Sequence, residues 1–147
     1  MENYVKNFDQ WNDIKKKTQN KSVPDDFFFL EREIWWASLG VNIGREIDGK
    51  NQSFERPILI LKKFSFDTLW ALPISRTGKD GEYFHIIKYK GENRTLLLLQ
   101  LRLISINRLL RLITRIDENE FQIINNKIAH LLFQAKPPCL TGESQWT

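Results

Sequence analysis

Apolar positions change their period twice along this chain. Tyr4, Phe8, Trp11 and Ile14 recur at the three- and four-residue spacing of an amphipathic helix. Lys15, Lys16 and Lys17 follow, at the end where a helix dipole favours cations. The next stretch, Thr18 to Asp26 (TQNKSVPDD), is polar and carries Pro24, a linker composition. Residues 1–26 are therefore expected to form a helical extension with a linker, its aromatics packed on the domain or on a partner.

From Phe27 to Arg115 the pattern is that of strands. Phe27–Leu39 is aromatic-rich, and Pro57–Leu61 (PILIL) is an apolar run led by a proline, which a first strand position tolerates. Thr68–Ile74 (TLWALPI) comes next. Glu82–Tyr89 alternates, with Tyr83, His85, Ile87 and Tyr89 on one face. Thr95–Ile106 contains LLLLQLRLI, which reads as one strand buried on both faces. Arg111–Ile116 reads as a last strand after a single helical turn at Asn107–Leu110. Glycines at 78, 81 and 91 mark turns, so the expected architecture is a small, highly curled barrel. A final helix starts at Asp117 with Glu120 three places on, a capping-box variant. Phe121, Ile124, Ile128, Leu131 and Leu132 form its apolar stripe, and Pro137-Pro138 ends it. The division this implies is 1–26 extension, 27–135 barrel domain and 136–147 loose tail, in a mainly β fold with helices (α+β).

Composition narrows the function classes. The 147 residues suit one domain, and 41% hydrophobic content can fill a core without disulfide or metal. One cysteine, Cys139, allows neither an internal disulfide nor a cysteine zinc site. Apolar runs fall short of a membrane span, and the N-terminus has no signal-like stretch, so a cytoplasmic protein is expected. The net charge of +4 is local in origin. Within residues 86–115, Lys88, Lys90, Arg94, Arg102, Arg108, Arg111 and Arg115 face only Glu92. Such a strip is either a phosphate-backbone footprint or a solvated outer face.

Familiar catalytic arrays are missing. The two histidines, His85 and His130, have no ligand spacing, so neither a metal nor a cofactor is expected. No G-x-S-x-G turn exists, and Gly40–Gly44 lacks the ending of a phosphate loop and reads as an ordinary exposed loop. One pair carries more chemistry. If Pro57–Lys62 and Thr68–Ile74 form a hairpin with Pro57 opposite Ile74, then Arg56 lies opposite Ser75. A guanidinium and a hydroxyl at one mouth of the sheet can both donate to phosphodiester oxygens. The competing reading is a surface ion pair of Arg56 with Glu55 or Glu46.

Five segments, in order, resemble the MazF/PemK toxins of bacterial toxin–antitoxin modules. They are Glu33 to Gly40, Gly44-Arg45-Glu46, Arg56 to Ile60, Leu72-Pro73-Ile74-Ser75, and Gln100 to Ser105 with Arg108-Leu109. The resemblance spans about residues 31–133. It implies an SH3-like β-barrel with a C-terminal helix, to which this chain adds an N-terminal helix. It also implies a homodimer, a cognate antitoxin, and a metal-independent endoribonuclease acting on single-stranded RNA. Cleavage would use the 2′-hydroxyl and leave a 2′,3′-cyclic phosphate; DNA would be touched only through the antitoxin complex. By position, Arg56, Ser75 and Glu46 match the catalytic arginine, hydroxyl and loop acid. Arg45, Arg76, Gln100, Arg102, Trp36 and Phe54 would hold RNA, the last two as stacking aromatics. A non-catalytic nucleic-acid-binding barrel, or one that inhibits gyrase, is the alternative the resemblance leaves open. Serine in place of the usual threonine at 75, Ile47 after the loop acid, and a lengthened loop to Arg56 are departures from the family pattern.

Overall fold

The structure is a computed structural model that describes residues 3–134. The expected tail at 136–147, with Pro137-Pro138, lies outside the described residues. Elements run α1 (Phe8–Gln19), β1 (Glu33–Ser38), β2 (Glu55–Lys63), β3 (Thr68–Ser75), β4 (Phe84–Tyr89), β5 (Glu92–Leu97), β6 (Arg102–Ser105), β7 (Leu109–Arg115) and α2 (Glu118–Phe133). One antiparallel sheet has the order β4-β5-β3-β2-β1-β7, with β6 pairing a second stretch of β3. Strand β3 thus hydrogen-bonds β5 at its C-terminal end and β6 at its N-terminal end. That switch of partner curls the sheet.

The PILIL run explains the layering. Ile58 and Ile60 join one buried cluster with Trp35, Phe29 and Ile104, whereas Leu59 and Leu61 join another with Ile34, Leu72 and Leu96. Successive side chains of a strand point to opposite faces, so β2 is buried on both. Helix α2 closes the second cluster with Ile124 and Ile128. Asp117 caps it, accepting from the Glu120 backbone N–H at 2.8 Å. Glu120 in turn reaches His85 on β4 at 2.7 Å and ties helix to sheet. Leu132, expected on the apolar stripe, is exposed.

Three expectations fail here. The apolar stretch 95–106 is not one strand: a 3-10 turn at Leu98–Gln100 separates β5 from β6, and Leu99 and Leu103 face outward. The loop at Gly40–Gly44 is not simply exposed, because Gly40 and Val41 are buried. Trp11 of α1 makes the difference. It packs with Val41 and Phe54 as a third cluster, and a Cβ on Gly40, whose φ is +81°, would lie 2.1 Å from the indole. Only glycine fits both that backbone and that approach. Asn7 caps α1, so Tyr4 lies ahead of the helix rather than on it. Further along, Asn107 donates to the Thr18 and Gln19 carbonyls and Lys21 to that of Leu109. The N-terminal segment is packed into the body of the domain.

Candidate functional site

The β2–β3 hairpin has the anticipated register. Ile58 pairs with Pro73, Leu59 with Leu72 and Ile60 with Ala71. Continued by two residues, the same pairing sets Arg56 against Ser75. A bulge shifts the register only beyond Ile60, at the far end.

Arg56 is 7% exposed. Its backbone belongs to β2, opposite Ala37 of β1. Nε donates to the Asp48 carbonyl at 2.7 Å and Nη1 to the Ile74 carbonyl at 3.1 Å. Neither is an ion pair, which removes the surface-pair reading with Glu55 or Glu46. A guanidinium has five N–H donors, so two backbone bonds fix its plane without exhausting it. Burial pushes its pKa down, opposed by the charge of Asp48. From so high a starting value it stays a cation at neutral pH.

Ser75 ends β3, half-buried, pairing with Thr95 of β5. Its Oγ lies 3.1 Å from the Thr77 hydroxyl and accepts from the Thr77 N–H at 3.4 Å. Thr95, fully buried, bonds the Thr77 carbonyl and accepts from the Lys79 N–H at 3.0 Å. This clamp sets the turn that follows Ser75.

Arg56 and Ser75 line one groove of about 400 Å³, with Trp36, Pro57, Ile74, Arg76, Tyr89 and Ile113. Lys50, Arg56, Arg76, Lys90 and Arg94 bring five cations to it, against the carboxylates of Glu55 and Glu92. Both carboxylates are engaged: Glu92 with Arg94, and Glu55 with Arg111 through bonds of 2.8 and 3.0 Å. The Arg111 guanidinium holds the Glu55 carboxyl below the usual range. Arg111 itself lies 4.9 Å above the Trp36 ring. The groove is thus a cationic slot with a braced indole on its wall, suited to a phosphate flanked by bases.

The remaining expected residues fall elsewhere. Glu46 is exposed and accepts the Ile43 N–H at 2.9 Å. It does not line the Ser75 groove. It borders two adjacent clefts, one shared with Arg45, Gln100 and Arg102, the other with Asp48 and Arg56. Arg102 is half-buried, and burial lowers its pKa while the charge of Glu46 opposes the shift. Gln100 uses both ends of its amide on the loop, accepting from Ile47 N–H at 2.7 Å and donating to the Arg45 carbonyl at 3.0 Å. It braces the loop. Phe54 corrects an expectation: it is 7% exposed and packs against Trp11 at 5.6 Å between ring centres, so it cannot serve as an open stacking platform. The basic strip also divides. Arg94 and Lys90 reach the groove, Arg102 borders another cleft, and Arg108 points into the domain against the Ser38 and Leu39 carbonyls.

Sequence reasoning missed Asp48 and Thr95. Neither stands out in a linear reading, because the partners of each lie elsewhere in the chain: Lys6 and Arg56 for Asp48, the turn at Thr77–Lys79 for Thr95.

Comparison with known proteins bears on the fold and the family. The family profile described as "PemK-like, MazF-like toxin of type II toxin-antitoxin system" matches residues 31–132, well over half the chain. Among solved structures, a mycobacterial endoribonuclease in complex with its cognate antitoxin superposes with a TM-score of 0.57 at 12% identity, covering 74% of this chain and 99% of that one. MazF from Deinococcus radiodurans gives 0.57 at 15%, covering 73% and 98%. The MazE–MazF complex from the same organism gives 0.57 at 14%, covering 75% and 100%. At such identities these structures speak for the fold alone, and no curated protein matches the sequence. The profile match carries further: the chain belongs to the PemK-like, MazF-like toxin family of type II toxin–antitoxin systems.

Proposed function

We propose that this chain is an endoribonuclease that cuts single-stranded RNA without a metal ion, by attack of the substrate 2′-hydroxyl on the adjacent phosphorus. The observation that carries this reading is the shared groove of Arg56 and Ser75, with the guanidinium oriented by two backbone carbonyls. In the attack, the 2′-oxygen bonds to phosphorus and negative charge gathers on the nonbridging oxygens. The free N–H groups of Arg56 and the Ser75 hydroxyl donate to those oxygens, more strongly as charge grows. The bond to the 5′-oxygen then breaks, leaving a 2′,3′-cyclic phosphate and a 5′-hydroxyl. Arg56 is a charge stabiliser rather than a base, since a guanidinium does not release its proton at working pH.

Glu46 is the acid we assign to take the 2′-hydroxyl proton. It borders a cleft that Arg56 also borders, so an RNA strand crossing over Arg56 passes from the Ser75 groove to the carboxylate. Arg76, Lys90 and Arg94 hold flanking phosphates, and Trp36 supplies a stacking face. Arg45 and Arg102 would meet the strand on the Glu46 side. A second copy of the chain and a cognate antitoxin belong to the same reading, as does a cytoplasmic site of action.

The test is to incubate the purified protein with a long single-stranded RNA in excess chelator and map the ends. Cuts at a short recurring sequence, with cyclic phosphate and 5′-hydroxyl termini, are expected. Binding without cleavage at any sequence would instead support a non-catalytic barrel.

A further inference from the structure

Residues 4–19 lie ahead of the stretch the family profile matches, yet they touch the loop that holds Arg56. The Lys6 ammonium bonds the carbonyls of Asn42 and Gly44 and pairs with the Asp48 carboxylate at 3.4 Å. The Tyr4 hydroxyl donates to the same carboxylate at 3.1 Å, and the Asn42 N–H does so at 2.6 Å. Asp48 in turn presents its backbone carbonyl to Arg56 Nε at 2.7 Å. One residue therefore couples the N-terminal segment, through its side chain, to the guanidinium, through its backbone.

Position 48 has little freedom on its C-terminal side. Gly49 N–H donates to the Gly40 carbonyl at 2.8 Å, and a Cβ on Gly49 would lie 1.7 Å from the Phe54 oxygen. Gly40 is pressed against Trp11 of α1. The loop is gripped at two points by the same segment, once by Trp11 packing and once by the Tyr4–Lys6–Asp48 cluster. These contacts lie in the cleft of about 670 Å³ that Tyr4, Lys6, Asp48 and Arg56 share, next to the Ser75 groove, with which it has Lys50, Asn51 and Arg56 in common.

We propose that Lys6, Tyr4 and Asp48 are positioning residues of the cleavage reaction: the N-terminal segment acts as a brace that fixes the plane of the Arg56 guanidinium through the Asp48 backbone. The inference rests on the endoribonuclease reading for its kinetic consequence, while the brace itself is a statement about Arg56. A guanidinium that tilts away from its productive plane still binds phosphate by charge, but meets the developing oxyanion poorly. Loss of the brace therefore lowers kcat and leaves KM nearly unchanged.

The experiment uses the full chain with Lys6→Met, which keeps the aliphatic stem, and Tyr4→Phe, which keeps the ring. Lys6→Arg is the charge-retaining rescue, and Lys17→Ala on the exposed part of α1 is the control. Lys6→Met is expected to lower kcat about tenfold with KM within about twofold of wild type, Tyr4→Phe less, and Lys6→Arg to recover part of the loss. Alongside, exchange of the Arg56 Nε proton with solvent is followed by nitrogen-15 NMR and is expected to quicken in Lys6→Met. A kcat equal to wild type together with an unchanged exchange rate overturns the brace. If wild type cuts no RNA, the endoribonuclease reading fails by itself. The Nε exchange then decides the brace alone: quickening supports it, and no change overturns it. Should Lys6→Met fail to fold, the same two readouts on Tyr4→Phe carry the test.

Discussion

Arg56 and Arg108 use the same local chemistry to different ends. Each guanidinium donates to two backbone carbonyls, Asp48 and Ile74 for Arg56, Ser38 and Leu39 for Arg108. Burial lowers both pKa values. Arg108 is further covered by Trp11, its guanidinium 5.9 Å from the indole. Arg56 instead borders a cationic groove beside a hydroxyl. Backbone bonding alone therefore does not mark a catalytic arginine; what distinguishes Arg56 is its place in the groove wall beside Ser75. Arg108, half-buried against an indole, stabilises the fold, whereas Arg56, more deeply buried yet lining the groove, is held ready for an anion.

The sharpest way to break this contrast is to truncate each arginine in turn. Arg56→Ala should cut the RNA cleavage rate by about a hundred- to a thousandfold, the usual weight of one preorganised oxyanion donor. Arg56→Lys should restore little, since one ammonium cannot satisfy two carbonyls and a phosphate together. Gel-resolved initial rates measure both, and circular dichroism checks the fold. Ser75→Ala comes next, with a loss of about ten- to a hundredfold in kcat, the weight of a hydrogen bond to a charged group. Arg108→Ala should instead leave cleavage within a few-fold of wild type and destabilise the fold by about 1–3 kcal/mol, because two carbonyls and an indole lose their partner. Urea unfolding reads that value. A large cleavage loss in Arg108→Ala with intact stability would dissolve the contrast.

The smallest effect concerns the groove wall. Arg111 holds the Glu55 carboxyl below its ordinary range. A depressed folded-state pKa contributes stability that is complete above the ordinary glutamate range and is lost as the pH falls through the depressed value. Glu55→Gln should therefore lower the neutral plateau modestly and flatten the acid limb, so that the variant and wild type converge as the pH falls. Urea midpoints from neutral pH down into the acid range show it. An unchanged acid slope would mean that Glu55 does not titrate against Arg111.

Much of the sheet was legible because its signals are local. A continuous apolar run reads as an inner strand, although β2 begins at Glu55, so Pro57 is its third residue rather than its first. The equal spacing on either side of the β2–β3 turn set the register that brings Arg56 to Ser75. The capping pair at Asp117 and Glu120 likewise lies within one turn. What escaped depends on distant partners. Residues 95–106 look like one strand, but β3 cannot pair a single straight strand along its whole curled length, so the run breaks at Leu98–Gln100. Phe54 looks available until Trp11, forty-three positions earlier, is seen to cover it. Asp48 is one more acid in a polar loop until Lys6 and Arg56 meet on its two ends. Charge alone misassigned part of the basic strip, since Arg108 and Lys88 carry the same sign in the sequence while one is turned inward and the other outward.

The account turns on which arginine meets the scissile phosphate. Titrating a 2′-O-methyl oligoribonucleotide, which has no attacking hydroxyl, into nitrogen-15-labelled protein reads this directly from the arginine Nε signals. We expect the Arg56 Nε resonance and the Ser75 amide to shift together and saturate at one stoichiometry, with Arg108 unmoved. A saturating titration that shifts Arg108 or leaves Arg56 and Ser75 silent would contradict the assignment of the groove.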